Sequence, residues 1–185
     1  DVPRNIQDAK MLFKEKVKVV YELLNLLDTF DKCETIVVPD TNSLIALPDI
    51  AQYTSIAGQS KYTVVIVPAV LAELDKLKVI HREQEFRDKV NSVIKRIKGL
   101  RTQGSLLKGV TVNKTVTVKM VAAEPNFDNT LKWLHCDNID DQIIASVLEI
   151  QKGNPSSIVI ITTSDINLQN KAEMANLPYA ETPNI

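Results

Sequence analysis

Asp40, Glu73, Asp141 and Asp165 are the residues of this sequence best suited to chemistry as a group. Carboxylates gathered in one cleft raise one another's pKa values unless a cation compensates them. The donors are oxygen only, so the fitting cation is hard: Mg2+ or Mn2+, which keeps several waters and shares its remaining positions with substrate phosphate. Such an ion on carboxylates, open to phosphate, suits hydrolysis of a phosphodiester by a metal-activated water. Zinc and copper fit poorly. The only histidines are His81 and His135, and neither Cys33 nor Cys136 has a CxxC partner. Plainer roles compete for each acid. Asp40, Asp140, Asp141 and Asp165 are all placed to cap helices, and Glu73 alone would ordinarily be a solvated helix residue. Capping does not explain Glu73, which stands between Leu71 and Leu74, close to an apolar face.

The elements that would position these acids read as α/β. Residues 35–39, 62–67 and 157–162 are short β-branched runs, apolar on both faces, as parallel strands covered by helices must be. Helical patterns follow them, at 68–78 with Pro68 in the first turn and at 167–176. A further helix at 142–152, begun by Asp140 and Asp141, is ended by Gly153 and Pro155. Parallel strands put their carboxyl ends on one side, and sites in open α/β sheets form outside those ends. Asp40, Glu73 and Asp165 are therefore expected to converge, and Asp141 can join them if its helix packs at the same edge. Residues 80–103 read as a long polar helix, and 110–121 as a hairpin or one long exposed strand. Residues 4–30 read as an amphipathic helix that packs on the domain or on a partner. The division expected is a helical extension over 1–32 and a catalytic domain over 33–185.

The chain has 185 residues, 22 Lys plus Arg against 23 Asp plus Glu, and a formal net charge of -1. That size builds one core, and the balance argues against a polybasic tail-like binder. Charge is nonetheless unevenly spread. Residues 87–108 hold Arg87, Lys89, Lys95, Arg96, Lys98, Arg101 and Lys108 against Asp88 alone. The stretch is a candidate phosphate-tracking wall, although Val90, Val93, Ile94 and Ile97 also make it an ordinary amphipathic helix. Aromatics are few, which limits base stacking to Tyr53, Tyr62, Phe127 or Trp133, with Trp133 better read as core. No apolar run reaches the ~18–20 residues of a membrane span. Two cysteines are too few for a disulfide framework and suit an intracellular, cytoplasmic setting. The absence of GxxxxGK[ST] excludes a P-loop hydrolase, and Asp40-Thr41-Asn42 lacks the second Asp of a DxD phosphatase or receiver motif.

Four blocks, residues 39–43, 68–75, 138–145 and 161–168, resemble the PIN domain ribonucleases in order and approximate spacing over residues 36–175. The Glu73-Leu74-Asp75 triplet and the Asp140-Asp141 pair are similar to the large-type branch that includes the nonsense-mediated-decay endonuclease and the bacterial PhoH-linked PIN domains. The resemblance implies a Rossmann-like three-layer α/β/α fold and a Mg2+- or Mn2+-dependent nuclease acting on single-stranded RNA. It implies Asp40, Glu73, Asp141 and Asp165 as the catalytic, metal-binding acids, with Asn42 and Thr163 in support. Asp140 is ambiguous with Asp141; Asp141 is preferred for its spacing to Ile144 and Ala145. From the basic surplus at 87–108, the candidate RNA contacts are Arg87, Lys95, Arg96, Lys98 and Arg101. An inactive PIN-like module that docks RNA or a protein is the alternative function, and the N-terminal helix is a candidate for self-association or partner binding.

Overall fold

The computed structural model of the chain describes residues 5–30 and 34–183. In chain order the elements are α1 (Ile6–Phe30), β1 (Thr35–Pro39), α2 (Thr41–Ala46), α3 (Thr54–Ala57), β2 (Tyr62–Ile66), α4 (Pro68–Ile80), α5 (Gln84–Gln103), β3 (Val110–Val112), β4 (Val116–Met120), α6 (Ile139–Gly153), β5 (Ile158–Thr162), α7 (Ile166–Met174) and β6 (Tyr179–Ala180). The strands form one sheet in the order β3-β4-β2-β1-β5-β6. Every pairing is parallel except β3 with β4. Helices cover the sheet as a three-layer α/β arrangement, the fold class the sequence suggests.

The centre of the sheet explains the unbroken apolar runs. All five residues of β1 and all five of β2 are buried. Val37, Val38, Val64 and Ile66 are completely enclosed, each contributing about 1.5–3 kcal/mol of burial. β1 lies between β2 and β5, with Pro39 opposite Thr162 at their carboxyl ends. The next residues, Asp40 and Thr163, are therefore neighbours beyond the sheet edge.

The structure corrects the sequence reading in three places. The long helix expected over 80–103 begins at Gln84, after a break at His81 to Glu83. His81 is extended (φ -67°, ψ 136°) and stacks on Phe86. The Arg87 guanidinium bonds the carbonyls of His81 and Arg82 and the side chain of Gln84, closing the turn. Secondly, of the two readings of 110–121 the hairpin holds and the long exposed strand does not. β4 pairs in parallel with β2, burying Val116, Val118 and Met120 while Thr117 and Lys119 face outward. Asn113 and Lys114, both left-handed (φ 53° and 64°), make the turn. Thirdly, of the two expectations for α1, packing on the domain is not seen among its described side chains. Ile6, Met11, Phe13 and Tyr21 are exposed, and Ala9 is the one half-buried side chain among those described in the helix. No helix among the described residues is long and apolar enough to cross a membrane. Cys136 is a free, exposed thiol; Cys33 lies outside the described residues.

Candidate active site

Asp40 follows β1 directly and caps α2. Its backbone N–H donates to the Thr162 carbonyl at 2.9 Å, which fixes it to β5. Its two carboxylate oxygens have separate donors. Oδ1 accepts from the Ser43 backbone N–H at 2.6 Å, and Oδ2 accepts from the Thr163 hydroxyl at 2.5 Å. Asp40 is only 5% exposed, so these charge-assisted bonds offset much of the cost of enclosing a carboxylate. Asp165 caps α7 beyond the end of β5, accepting from the Asn167 N–H at 2.7 Å, and is exposed. Its own N–H donates to the Thr163 hydroxyl at 3.0 Å. Thr163 thus ties together the two acids that follow neighbouring parallel strands. Ser43 braces the same corner, its hydroxyl donating to the Thr162 carbonyl at 2.9 Å and accepting from the Thr182 hydroxyl at 2.6 Å.

Glu73, half-buried on α4, accepts from the Thr41 hydroxyl at 2.5 Å. Pro68 starts α4 just past β2, which brings Glu73 to the same edge of the sheet. Asp40, Thr41, Asn42, Glu73, Asp137, Asn138, Asp140 and Asp165 share a cleft of about 330 Å³ with an apolar wall of Ile139, Ile143 and Leu168. Asn42, expected to brace the acids, lines this cleft with its side chain exposed. The bonds to the acids come instead from Thr41, Ser43 and Thr163.

The paired acids of α6 divide their work. Asp140 lines the cleft, whereas Asp141 does not. Asp141 is 3% exposed and accepts the His135 N–H at 3.0 Å. Asn138 caps the helix, accepting from the Asp141 N–H. Lys171, reaching over from α7, lies 2.8 Å from Asp141 Oδ1 and 3.2 Å from Asp140 Oδ2. Partial burial works against its charge, but the bonds to Asp141 and Asp140 outweigh that, and the ammonium is held above the ordinary lysine value. Neither Thr41 nor Lys171 stands out in the sequence as a site residue. The available signals were slight: a hydroxyl beside Asp40, and a lysine one and a half turns beyond Asp165.

Among the described residues, no three of His, Cys, Asp and Glu stand close enough together to hold a metal ion directly. The all-oxygen lining nevertheless suits a hard ion, because Mg2+ is commonly held through one or two carboxylates with water in its other positions. By donor type and open volume, the residues fit Mg2+ or Mn2+ bound partly through water.

The basic residues of α5 lie in two environments. Lys95, Arg96, Lys98 and Arg101 are exposed and have no acidic partner among the described residues, while Lys89 pairs with Glu85 at 3.1 Å. Arg87 is taken up by the turn described above. A larger cleft, of about 600 Å³, opens beyond β2 and β4 and is lined by Pro68, Leu71, Leu106, Met120 and Arg101 among others. It is mostly apolar and holds no acid, whereas the carboxylates line the smaller cleft. Tyr53 and Tyr62 are fully buried and donate to the carbonyls of Ser43 and Ile50. They cannot stack on bases, which corrects the sequence expectation. Phe127 and Trp133 pack partly buried against the core.

The family model described as the PIN domain matches residues 37–182, a span containing Asp40, Glu73, Asp137, Asp140, Asp141 and Asp165. The chain belongs to the PIN domain family. PIN domains are generally metal-dependent nucleases. A solved structure described as a domain of a functionally unknown protein from Methanocaldococcus jannaschii DSM 2661 resembles this PIN domain with a TM-score of 0.50. The two are 16% identical, over 82% of this chain and 93% of that one, which is a likeness of fold alone. None of the curated proteins matches significantly.

Proposed function

We propose that the protein is a divalent-metal-dependent ribonuclease that hydrolyses phosphodiester bonds of single-stranded RNA. The observation that carries this reading is the meeting of Asp40, Glu73, Asp140 and Asp165 in one cleft at the carboxyl edge of the sheet. Asp40 and Asp165 are the proposed direct ligands, with Glu73 and Asp140 acting through water. Asp141 would act from behind Asp140, through Lys171. A bound Mg2+ or Mn2+ would lower the pKa of a coordinated water and offset charge developing on the phosphodiester.

The chain's own residues supply orientation. Ser43 and Thr163 hold both Asp40 oxygens in place, and Thr41 holds Glu73 where it can position the attacking water. Attack by water rather than by the RNA 2′-hydroxyl leaves a 5′-phosphate and a 3′-hydroxyl. Lys95, Arg96, Lys98 and Arg101 would track the phosphates, with Arg101 in the neighbouring cleft on the same edge. Arg87 would contribute through the turn it closes. The Glu73-Leu74-Asp75 triplet and the Asp140-Asp141 pair support the large-type branch. We place the catalytic unit at 33–185, with 1–32 as an extension.

One observation favours a second reading, a non-catalytic PIN-like module that binds RNA: among the described residues, no three acids stand close enough to ligate an ion directly. Incubating the protein with single-stranded RNA and Mn2+, against an Asp40→Asn control, separates the two. Metal-dependent cleavage lost in the variant supports the enzyme. Binding without cleavage supports the module.

A further inference from the structure

Lys171 has three N–H donors and meets three oxygens. Its Nζ lies 2.8 Å from Asp141 Oδ1, 2.9 Å from Asn138 Oδ1 and 3.2 Å from Asp140 Oδ2. The ammonium donates hydrogen bonds to Asn138 and Asp140 and forms an ion pair with Asp141. Its acceptors, two carboxylates and an amide oxygen, are the donor set a hard cation takes. Asp141 cannot exchange this partner for water. It is 3% exposed, and its other oxygen already accepts the His135 N–H. A buried carboxylate without a countercharge is strongly destabilising.

We infer that Lys171 is a built-in cation filling the second cation position of the acidic cleft, so that the protein takes up one divalent ion rather than two. The ion enters on the side of Asp40 and Asp165, whose carboxylates Lys171 does not contact. Lys171 is therefore a positioning residue, acting through Asp140 and Asp141. Removing its charge opens a second divalent position bounded by Asn138, Asp140 and Asp141. The inference rests on the proposed metal-binding role of the cleft, and its test separates the two.

The test is calorimetric titration of Mn2+ into the full chain and into Lys171→Met and Lys171→Arg, with electron paramagnetic resonance to detect paired ions. The wild type and Lys171→Arg should bind one ion, and Lys171→Met two, with a spin-coupled signal. Circular dichroism checks that Lys171→Met is folded; if it is not, Lys171→Gln, which keeps a donor without the charge, takes its place with the same expectation. Two ions on the wild type, or one on both the wild type and the uncharged variant, overturns the inference. A wild type that binds none overturns the metal-binding role of the cleft. The inference, which rests on that role, then falls with it, whereas the two outcomes before it overturn the inference and leave the role intact.

Discussion

The Thr163 hydroxyl donates to Asp40 Oδ2 at 2.5 Å, joining two residues 123 positions apart at the ends of neighbouring parallel strands. Thr163 is fully buried, so water cannot replace its hydroxyl if it is removed. Thr163→Val keeps the shape and leaves a buried carboxylate oxygen without its donor. The expected cost is about 1–3 kcal/mol of stability and about 10–100-fold in metal affinity or cleavage. Thr163→Ser should recover most of both. Thermal unfolding and Mn2+ titration check the pair, and equal behaviour of the Val and Ser variants would remove the hydroxyl from the account.

The exposed charges of α5 should separate from Arg87. Lys98→Ala with Arg101→Ala is expected to weaken single-stranded RNA binding and to reduce the slope of log affinity against log salt by about 0.7 for each phosphate that is no longer neutralised. Arg87→Ala should leave that slope unchanged and lower stability by about 1 kcal/mol, because its bonds close the turn between α4 and α5. Fluorescence anisotropy over a salt series measures the first effect, and urea unfolding the second.

Alkaline pH should expose the two buried tyrosines. Burial is the main cause raising Tyr53, with the negative charge of Asp40 adding to it, and burial also raises Tyr62 despite its hydrogen bonds. The folded protein therefore keeps phenol protons that the unfolded chain loses above pH ~10, and stability falls as pH rises through that range. Tyr53→Phe and Tyr62→Phe should each make the fall shallower. Urea midpoints from pH ~9 to ~11 measure it. Phenolate absorbance assigned to these residues before unfolding would contradict it.

Much of this architecture is legible in the sequence because of where the strands lie. β1 and β2 are buried on both faces and β5 nearly so, so all three show as continuous apolar runs, and Asp40 and Asp165 are found by being the acids just beyond them. The choice between Asp140 and Asp141 is less visible. Adjacent helical residues point about 100° apart, and which one meets the cleft depends on how α6 packs. Lys171 is less visible still, since its role exists only once α7 lies beside α6, 30 positions earlier in the chain for Asp141. β4 misleads for the same reason: its alternation describes a strand with one wet face, and its membership in the main sheet comes from a distant partner, β2. β6, at two residues, carries no periodic pattern.

The hairpin turn offers a test of local backbone chemistry. Lys114 is exposed and left-handed, a conformation that costs a side-chain-bearing residue about 1–2 kcal/mol. Lys114→Gly relieves that strain and completes an Asn-Gly turn. After the greater entropy of glycine in the unfolded chain, it should stabilise the protein by up to about 1 kcal/mol. A lower melting temperature would show that the lysine side chain contributes more than the strain it introduces.

The central claim concerns Asp40, which is bonded to β5 and opens on the cleft. Its most direct test is cleavage of a 5′-labelled single-stranded RNA by the wild type and by Asp40→Asn, in Mn2+ and in excess chelator, with circular dichroism confirming that both proteins are folded. Metal-dependent cleavage by the wild type, giving labelled products with 3′-hydroxyl ends and lost in Asp40→Asn, is the predicted result. Cleavage that persists undiminished in Asp40→Asn, or that survives chelation, would contradict it.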